Sequence, residues 1–226
     1  MTANAKPLLF DRQKQLLGLL HALGGVVGNR DFQKLLFLYC QTESAPPYEF
    51  VPFKYGAFSF SSYADRRRLV QRGLLENDER AWRLSPAGRQ TAGRIRLASQ
   101  RLAEFALRHR ELRGDALVAE TYRKHPFYAT RSEIAANVLK GDRAALQLIE
   151  EARPSGGAPY LATIGYEDRS LEGYLNALLR GAITLLCDVR RNAISRKYGF
   201  SKSTLGGACE GVGIRYEHLP ELGIAS

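Results

Sequence analysis

The apolar positions of the first ninety residues recur at helical spacing. Leu16, Leu17, Leu19, Leu20 and Leu23 share one face of Asp11–Leu23, with Asp11 as the candidate N-cap and Gly24–Gly25 as the stop. Leu35, Leu36, Leu38 and Tyr39 mark a second helix, Phe32–Cys40, capped by Asp31. After a proline-containing loop, Phe50–Phe60 (FVPFKYGAFSF) is aromatic with a central glycine and reads as an extended or turning segment. Ser61 or Ser62 caps a third helix, Tyr63–Arg72, and Gly73 closes it. Two short strands, Leu74–Glu76 and Ala81–Leu84, flank a polar turn, and Ser85-Pro86 opens another helix. Long helices are then expected over Thr91–Arg113 and Ser132–Ala152, with Thr130–Glu133 as a capping box, and a shorter one over Asp115–Tyr122.

From Tyr160 the period changes. Leu161–Ile164, Ile183–Val189 and Ile214–His218 are short apolar runs separated by two amphipathic helical patterns. That alternation predicts right-handed βαβ units and a three-stranded parallel sheet. Polar residues follow each strand: Tyr166, Glu167 and Ser170 the first, Asp188, Arg190, Arg191, Asn192, Ser195 and Arg196 the second, His218 and Glu221 the third. In a parallel sheet all three groups meet at the carboxyl edge, where open α/β sheets bind ligands.

Charge sharpens both halves. The chain carries a formal net charge of +10. Residues 66–113 hold 13 arginines and no lysine against 5 acids, a field suited to nucleic acid or another polyanion. The order helix, helix, recognition-like helix, two-stranded wing, helix is that of a winged helix. Arg66, Arg67, Arg68 and Arg72 would lie on its third helix, and Arg80 and Arg83 on its wing. A purely solvated basic face, or a protein-docking module, is the alternative.

The segments KLLFLYC and YEFVPFKYGAFSFSSYADRRRLVQRGLL, within about Gln33–Leu75, resemble the SocA-like (Panacea) antitoxin-associated domain. That resemblance implies either DNA contact or a surface for a protein partner.

At the sheet edge, five cations and no acid lie between Arg190 and Lys202, directly after Asp188. Arg190, Arg196 and Lys197 suit a phosphate, and Ser201 caps a helix whose N-terminus adds an anion site. Asp188 is either a general base or the residue that orients Arg190. Glu167 is a weaker second carboxylate, as is Glu221. His218 is a candidate proton shuttle or a backbone anchor. A salt-bridged loop that only fastens the sheet is the plain alternative.

The motifs TIGYEDRSLEGYLNALL, LLCDVRRNAISRKYGFSK and IRYEHLPELG resemble the domain-of-unknown-function 488 family over about Thr163–Gly223. The resemblance implies a Rossmann-like α/β domain. Members of that family continue past PELG with further strands and helices, whereas the sequence in hand stops at Ser226. Three readings follow: a partial sequence, a pseudogene product, or a domain completed by a partner.

The expected architecture is therefore α+β and α/β. It comprises a helical winged-helix-like domain over 1–90, a helical connector over 91–153, and a partial Rossmann-like parallel α/β domain over 154–226. Three cysteines without metal-ligand or CxxC spacing predict reduced thiols in a cytoplasmic protein. There is no Walker loop, dinucleotide fingerprint, zinc spacing or membrane-length apolar run, so no cofactor, metal or membrane is expected. The function expected is that of a nucleic-acid-associated protein, with DNA as partner and a phosphate or nucleotide site at the sheet edge. The alternatives are a small-molecule hydrolase or transferase with a regulatory N-terminal domain, and a non-catalytic antitoxin-like protein with a protein partner.

Overall fold

The computed structural model describes residues 8–96 and 99–223 and gives a mixed α/β chain. In order the elements are α1 (Asp11–Ala22), β1 (Val26–Gly28), α2 (Asn29–Cys40), β2 (Val51–Phe53), β3 (Gly56–Phe58), α3 (Phe60–Gln71), β4 (Ala81–Arg83), α4 (Pro86–Gly93) and α5 (Ser99–Arg108). They continue with α6 (Gly114–Lys124), α7 (Ala135–Val138), α8 (Arg143–Glu151), α9 (Leu171–Arg180), β5 (Leu185–Asp188), α10 (Lys202–Gly211) and β6 (Arg215–His218). Among the described residues no helix is long and apolar enough to cross a membrane. The chain divides into two units: residues 1–48 with 62–114, and residues 49–61 with 115–226.

In the first unit, Gly24 and Gly25 both take positive φ, ending α1 and turning the chain into β1. β1 pairs antiparallel with β4, Val27 opposite Trp82, and Leu75 bridges Leu84 on the far side of β4. The expected two-strand wing is thus a fragment of a small sheet whose first strand is β1. Three residues of Val-Val-Gly are too short to carry a period. Trp82 is fully buried with its ring centroid 4.6 Å from that of Phe32 on α2. A buried polar cluster ties α1 to α3: Asp65 accepts from Arg12 Nε at 2.6 Å, Gln13 Nε2 at 2.8 Å and the Tyr48 hydroxyl at 3.0 Å. Ser85 caps α4 as expected, accepting from Gly88 N at 2.9 Å. Asp31 instead lies inside α2, where it accepts from Gly114 N at 3.1 Å.

The helix expected over Thr91–Arg113 is two helices, α4 and α5, and Arg94–Arg96 after Gly93 are not helical; residues 97 and 98 lie outside the described residues. That expected over Ser132–Ala152 is also two, because Gly141, at φ +87°, separates α7 from Asp142, the N-cap of α8.

The second unit takes in the aromatic stretch that the sequence places with the helical half. β2 and β3 form an antiparallel hairpin, Val51 opposite Phe58. Val51, Phe53 and Phe60 pack into one core with Leu171, Leu175, Leu178 and Leu179 of α9, Leu205 of α10, Phe200 and Ile214. Burying each large aliphatic side chain contributes about 1.5–3 kcal/mol. Polar contacts fix the hairpin's register: Asn176 Nδ2 donates to Phe50 O at 2.7 Å, and Ser170 Oγ donates to Glu49. Glu172, fully buried, accepts from Ser61 N at 2.7 Å, Ser61 Oγ at 2.9 Å and Ser59 Oγ at 3.1 Å.

β5 and β6 pair in parallel, Asp188 opposite His218, with α10 as the crossover. The expected first strand, Leu161–Ile164, is a correction. It is irregular, Leu161 is 96% exposed, and no backbone hydrogen bond joins Tyr160–Gly165 to β5 among the described residues. β-propensity alone does not make a strand without a paired neighbour.

Candidate functional site

The end of β5 delivers Asp188, buried to 6% exposure, into a network assembled mostly from the chain on either side. Arg190 donates to Asp188 through Nε at 2.8 Å and Nη2 at 2.6 Å, and its Nη1 donates to Phe200 O at 2.8 Å. The Tyr216 hydroxyl donates to the same carboxylate at 2.6 Å. Burial alone would raise the Asp188 pKa, but the bonds from Arg190 and Tyr216 outweigh it and bring it down to about 2. The Tyr216 hydroxyl moves the other way, pushed up by burial and by the Asp188 carboxylate that accepts from it. A carboxylate this acidic and this fully engaged is a poor proton acceptor near neutral pH. Of the two roles open to Asp188, orienting Arg190 fits the geometry.

Arg190 is itself spent on the protein. Its guanidinium carbon stands 5.2 Å from the centroid of Tyr166, whose ring stacks on Phe200 at 4.8 Å. His218 is an anchor in this arrangement, with Nε2 2.8 Å from the Arg190 carbonyl oxygen, to which it donates. Lys197 Nζ donates to Tyr166 O at 2.9 Å and so fastens the first motif to the loop after β5. Gly199 is needed in that loop. It sits at φ +94°, and a side chain there would meet Leu171 Cβ at 2.7 Å.

The remaining sequence candidates separate. Ser170 caps α9 through Gly173 N at 2.9 Å. Ser195 accepts from Lys197 N at 3.1 Å, and Asn192 from Ile194 N at 3.2 Å, both local turn bonds. Ser201 stands at the N-cap of α10, but its hydroxyl donates to Ser195 O at 3.1 Å instead of capping the helix. Arg191, Arg196, Glu167 and Glu221 are exposed around the edge.

Beside this network is a cavity of about 690 Å³, lined by the irregular segment Tyr160–Tyr166, by β5, and by Arg169, Tyr174, Arg190 and Phe200 among others. The volume is that of a small-molecule site. Tyr174 of α9 is 5% exposed, and burial pushes its hydroxyl up to about 12. Its position within an otherwise leucine-rich stripe is the one sequence signal it gives. Glu172 carries a similar signal, an acid beside Leu171 and Leu175.

In the first unit, the six arginines assigned to nucleic acid fall into two groups. Arg66 turns inward: its Nη2 donates to Asp78 O and, at 2.9 Å, to Ala81 O, and its guanidinium lies 5.2 Å from the Trp82 ring centroid. Arg83 pairs with Asp78 at 3.1 Å and Glu76 at 3.4 Å. Arg67, Arg68 and Arg80 are exposed, and Arg72 is half-buried. Arg68 keeps only a long contact with Asp65, at 3.7 Å.

Residues 170–226 match a family model described as "Domain of unknown function DUF488". The matched stretch begins at the cap of α9 and takes in β5, the Asp188–Arg190 network, α10 and β6. It leaves Gln33–Leu75 uncovered, so the SocA-like resemblance there rests on its residues alone. No curated protein matches the chain.

Proposed function

We propose that this chain is a nucleic-acid-associated protein: a winged-helix-like first unit contacts DNA, and the sheet edge of a Rossmann-like second unit holds a phosphate or nucleotide. The observation that carries the first part is the pairing of β1 with β4, with Arg66 fastening the turn at Asp78–Ala81 to α3. The order helix, strand, helix, helix, wing, with the first strand paired to the last and the β2–β3 hairpin inserted between α2 and α3, supports the winged-helix reading. Arg67 and Arg68 on the helix and Arg80 at the turn remain exposed. Such residues supply phosphate contacts and, on the helix, reach into a groove. For the second part, Arg191, Arg196 and Lys197 surround an edge that Asp188 and Arg190 hold rigid.

The test is fluorescence anisotropy with duplex and single-stranded DNA at two salt concentrations. Arg67→Glu with Arg68→Glu should weaken binding at least tenfold and flatten its salt dependence by about two phosphate contacts. Arg66→Ala should instead lower the unfolding free energy of the first unit by about 1–2 kcal/mol through the lost carbonyl contacts. Unaltered affinity in the double variant, with the fold intact, rules out this surface as the DNA contact.

A further inference from the structure

The cavity beside β5 has a wall of unusual chemistry. Arg215 N donates to Thr184 O at 2.8 Å and Leu219 N to Asp188 O at 2.9 Å, so the even-numbered residues of β5 face β6. Backbone groups alternate sides along a strand, so the N–H and C=O of Leu185 and Cys187 point to the opposite edge, and both residues line the cavity. The facing segment, Tyr160–Gly165, makes no backbone bond to them among the described residues. Leu185 is half-buried and Cys187 exposed, so these peptide groups are open to an incoming partner.

Tyr174 adds an independent feature. It is 95% buried and lines the same cavity, and its hydroxyl, which makes no hydrogen bond among the described residues, stays open to solvent. Its ring is held edge-on against Phe200 at 5.4 Å, so the hydroxyl is fixed in place. Arg169, exposed and also lining the cavity, has no ion-pair partner among the described residues. The edge thus offers alternating donors and acceptors, a hydroxyl, apolar and aromatic walls and, besides Arg190 with its partner Asp188, the cation of Arg169.

We infer that this cavity takes a nucleobase, its polar rim read by the Leu185 and Cys187 backbone and the Tyr174 hydroxyl, and its phosphate met by Arg169. This rests on the reading of the sheet edge as a phosphate or nucleotide site and specifies what sits beside the phosphate. An extended peptide is disfavoured because β5 has four residues and offers only two outward-facing ones, too few for strand addition. A planar base needs only one or two such pairs. The base comes either as a free nucleotide or as an unstacked base of a nucleic-acid strand.

Calorimetry on the full chain with AMP, CMP, adenosine and ribose 5-phosphate tests this. AMP and adenosine should bind, with ribose 5-phosphate at least tenfold weaker. Tyr174→Phe keeps the ring and the packing, and should weaken AMP and adenosine alike by about fivefold. Arg169→Ala should weaken AMP more than adenosine. Displacement of a single-stranded oligonucleotide by AMP would identify the strand as the source, and no displacement the free nucleotide. Ribose 5-phosphate binding as tightly as AMP, or a silent Tyr174→Phe, overturns the base pocket and leaves a phosphate site standing. Binding of an extended tetra-alanine peptide in place of all four probes overturns both. Failure of the DNA contact is read separately, from Arg67 and Arg68 in the anisotropy assay.

Discussion

Asp188 and Arg190 form a two-point ion pair from residues only two apart, Nε to Oδ1 at 2.8 Å and Nη2 to Oδ2 at 2.6 Å. The pair folds the chain back on itself as it leaves β5, and Tyr216 closes the carboxylate's remaining side. A residue so placed governs the shape of the loop that follows, Arg190–Phe200, whose far end the Arg190 guanidinium also holds at Phe200 O.

Replacing Asp188 by Asn should therefore cost about 1–3 kcal/mol of stability at neutral pH, because Arg190 loses its charged acceptor in a half-buried setting. The wild-type contribution is pH-dependent. Its folded pKa of about 2 lies below the ordinary 3.8, so the stabilisation is complete above about pH 4 and fades as pH falls towards 2. Urea unfolding followed across pH 2–5 should show this slope in the wild type and a shallower one in Asp188→Asn. Parallel slopes would mean that the pair contributes nothing to the folded state.

Glu172 behaves in the opposite sense. Burial raises its pKa, against the hydrogen bonds from Ser61 and Ser59. A raised folded pKa gives stabilisation that is present at low pH and lost as pH rises through that value. Glu172→Gln keeps an acceptor for Ser61 N, so it should stay within about 1 kcal/mol of wild type near neutral pH. Glu172→Ala removes the acceptor of Ser61 N and Ser61 Oγ and should cost about 1–3 kcal/mol. Equal unfolding midpoints for the two variants would contradict this assignment of the serines.

The thiols give a direct reading of the second unit's open sheet edge. Cys187 is exposed, whereas Cys40 and Cys209 are buried and burial pushes both up to about 12. A colourimetric thiol reagent should modify one cysteine in the native chain and all three in denaturant. If AMP occupies the cavity, it should slow the native reaction. More than one fast thiol would mean that the core around Cys209, or that around Cys40, opens readily.

Much of this was legible in the sequence, for identifiable reasons. α1, α2, α3 and α4 announce themselves by helical period, by Ser85 as cap and by Gly73 at positive φ. The Asp188–Arg190 motif could be found because charge directly after an apolar run marks a strand end. β1 could not, since three residues give no period and their partner, β4, lies far along the chain. Leu161–Ile164 has strand-like composition but lacks the neighbour that would make it one. Arg66 and Arg83 looked like their neighbours because sequence spacing gives a helix face but not which guanidinium folds inward onto a carbonyl or carboxylate. Glu172 and Tyr174 were hidden for a related reason: a polar residue inside a leucine stripe is noticed only once its partners, or their absence, are known.

The hairpin of β2 and β3 is encoded between two helices of one unit and buried in the core of the other. On the ribosome that separation becomes a delay. Val51, Phe53 and Phe60 emerge long before Leu171–Leu179 exist to cover them, so a nascent chain carries a bare aromatic hairpin until α9 follows. Such an intermediate is a natural client for chaperones and a point of failure when elongation stalls. Chain order therefore bears on assembly: the first unit's helices can close before the core of the second, which waits for α9 and α10.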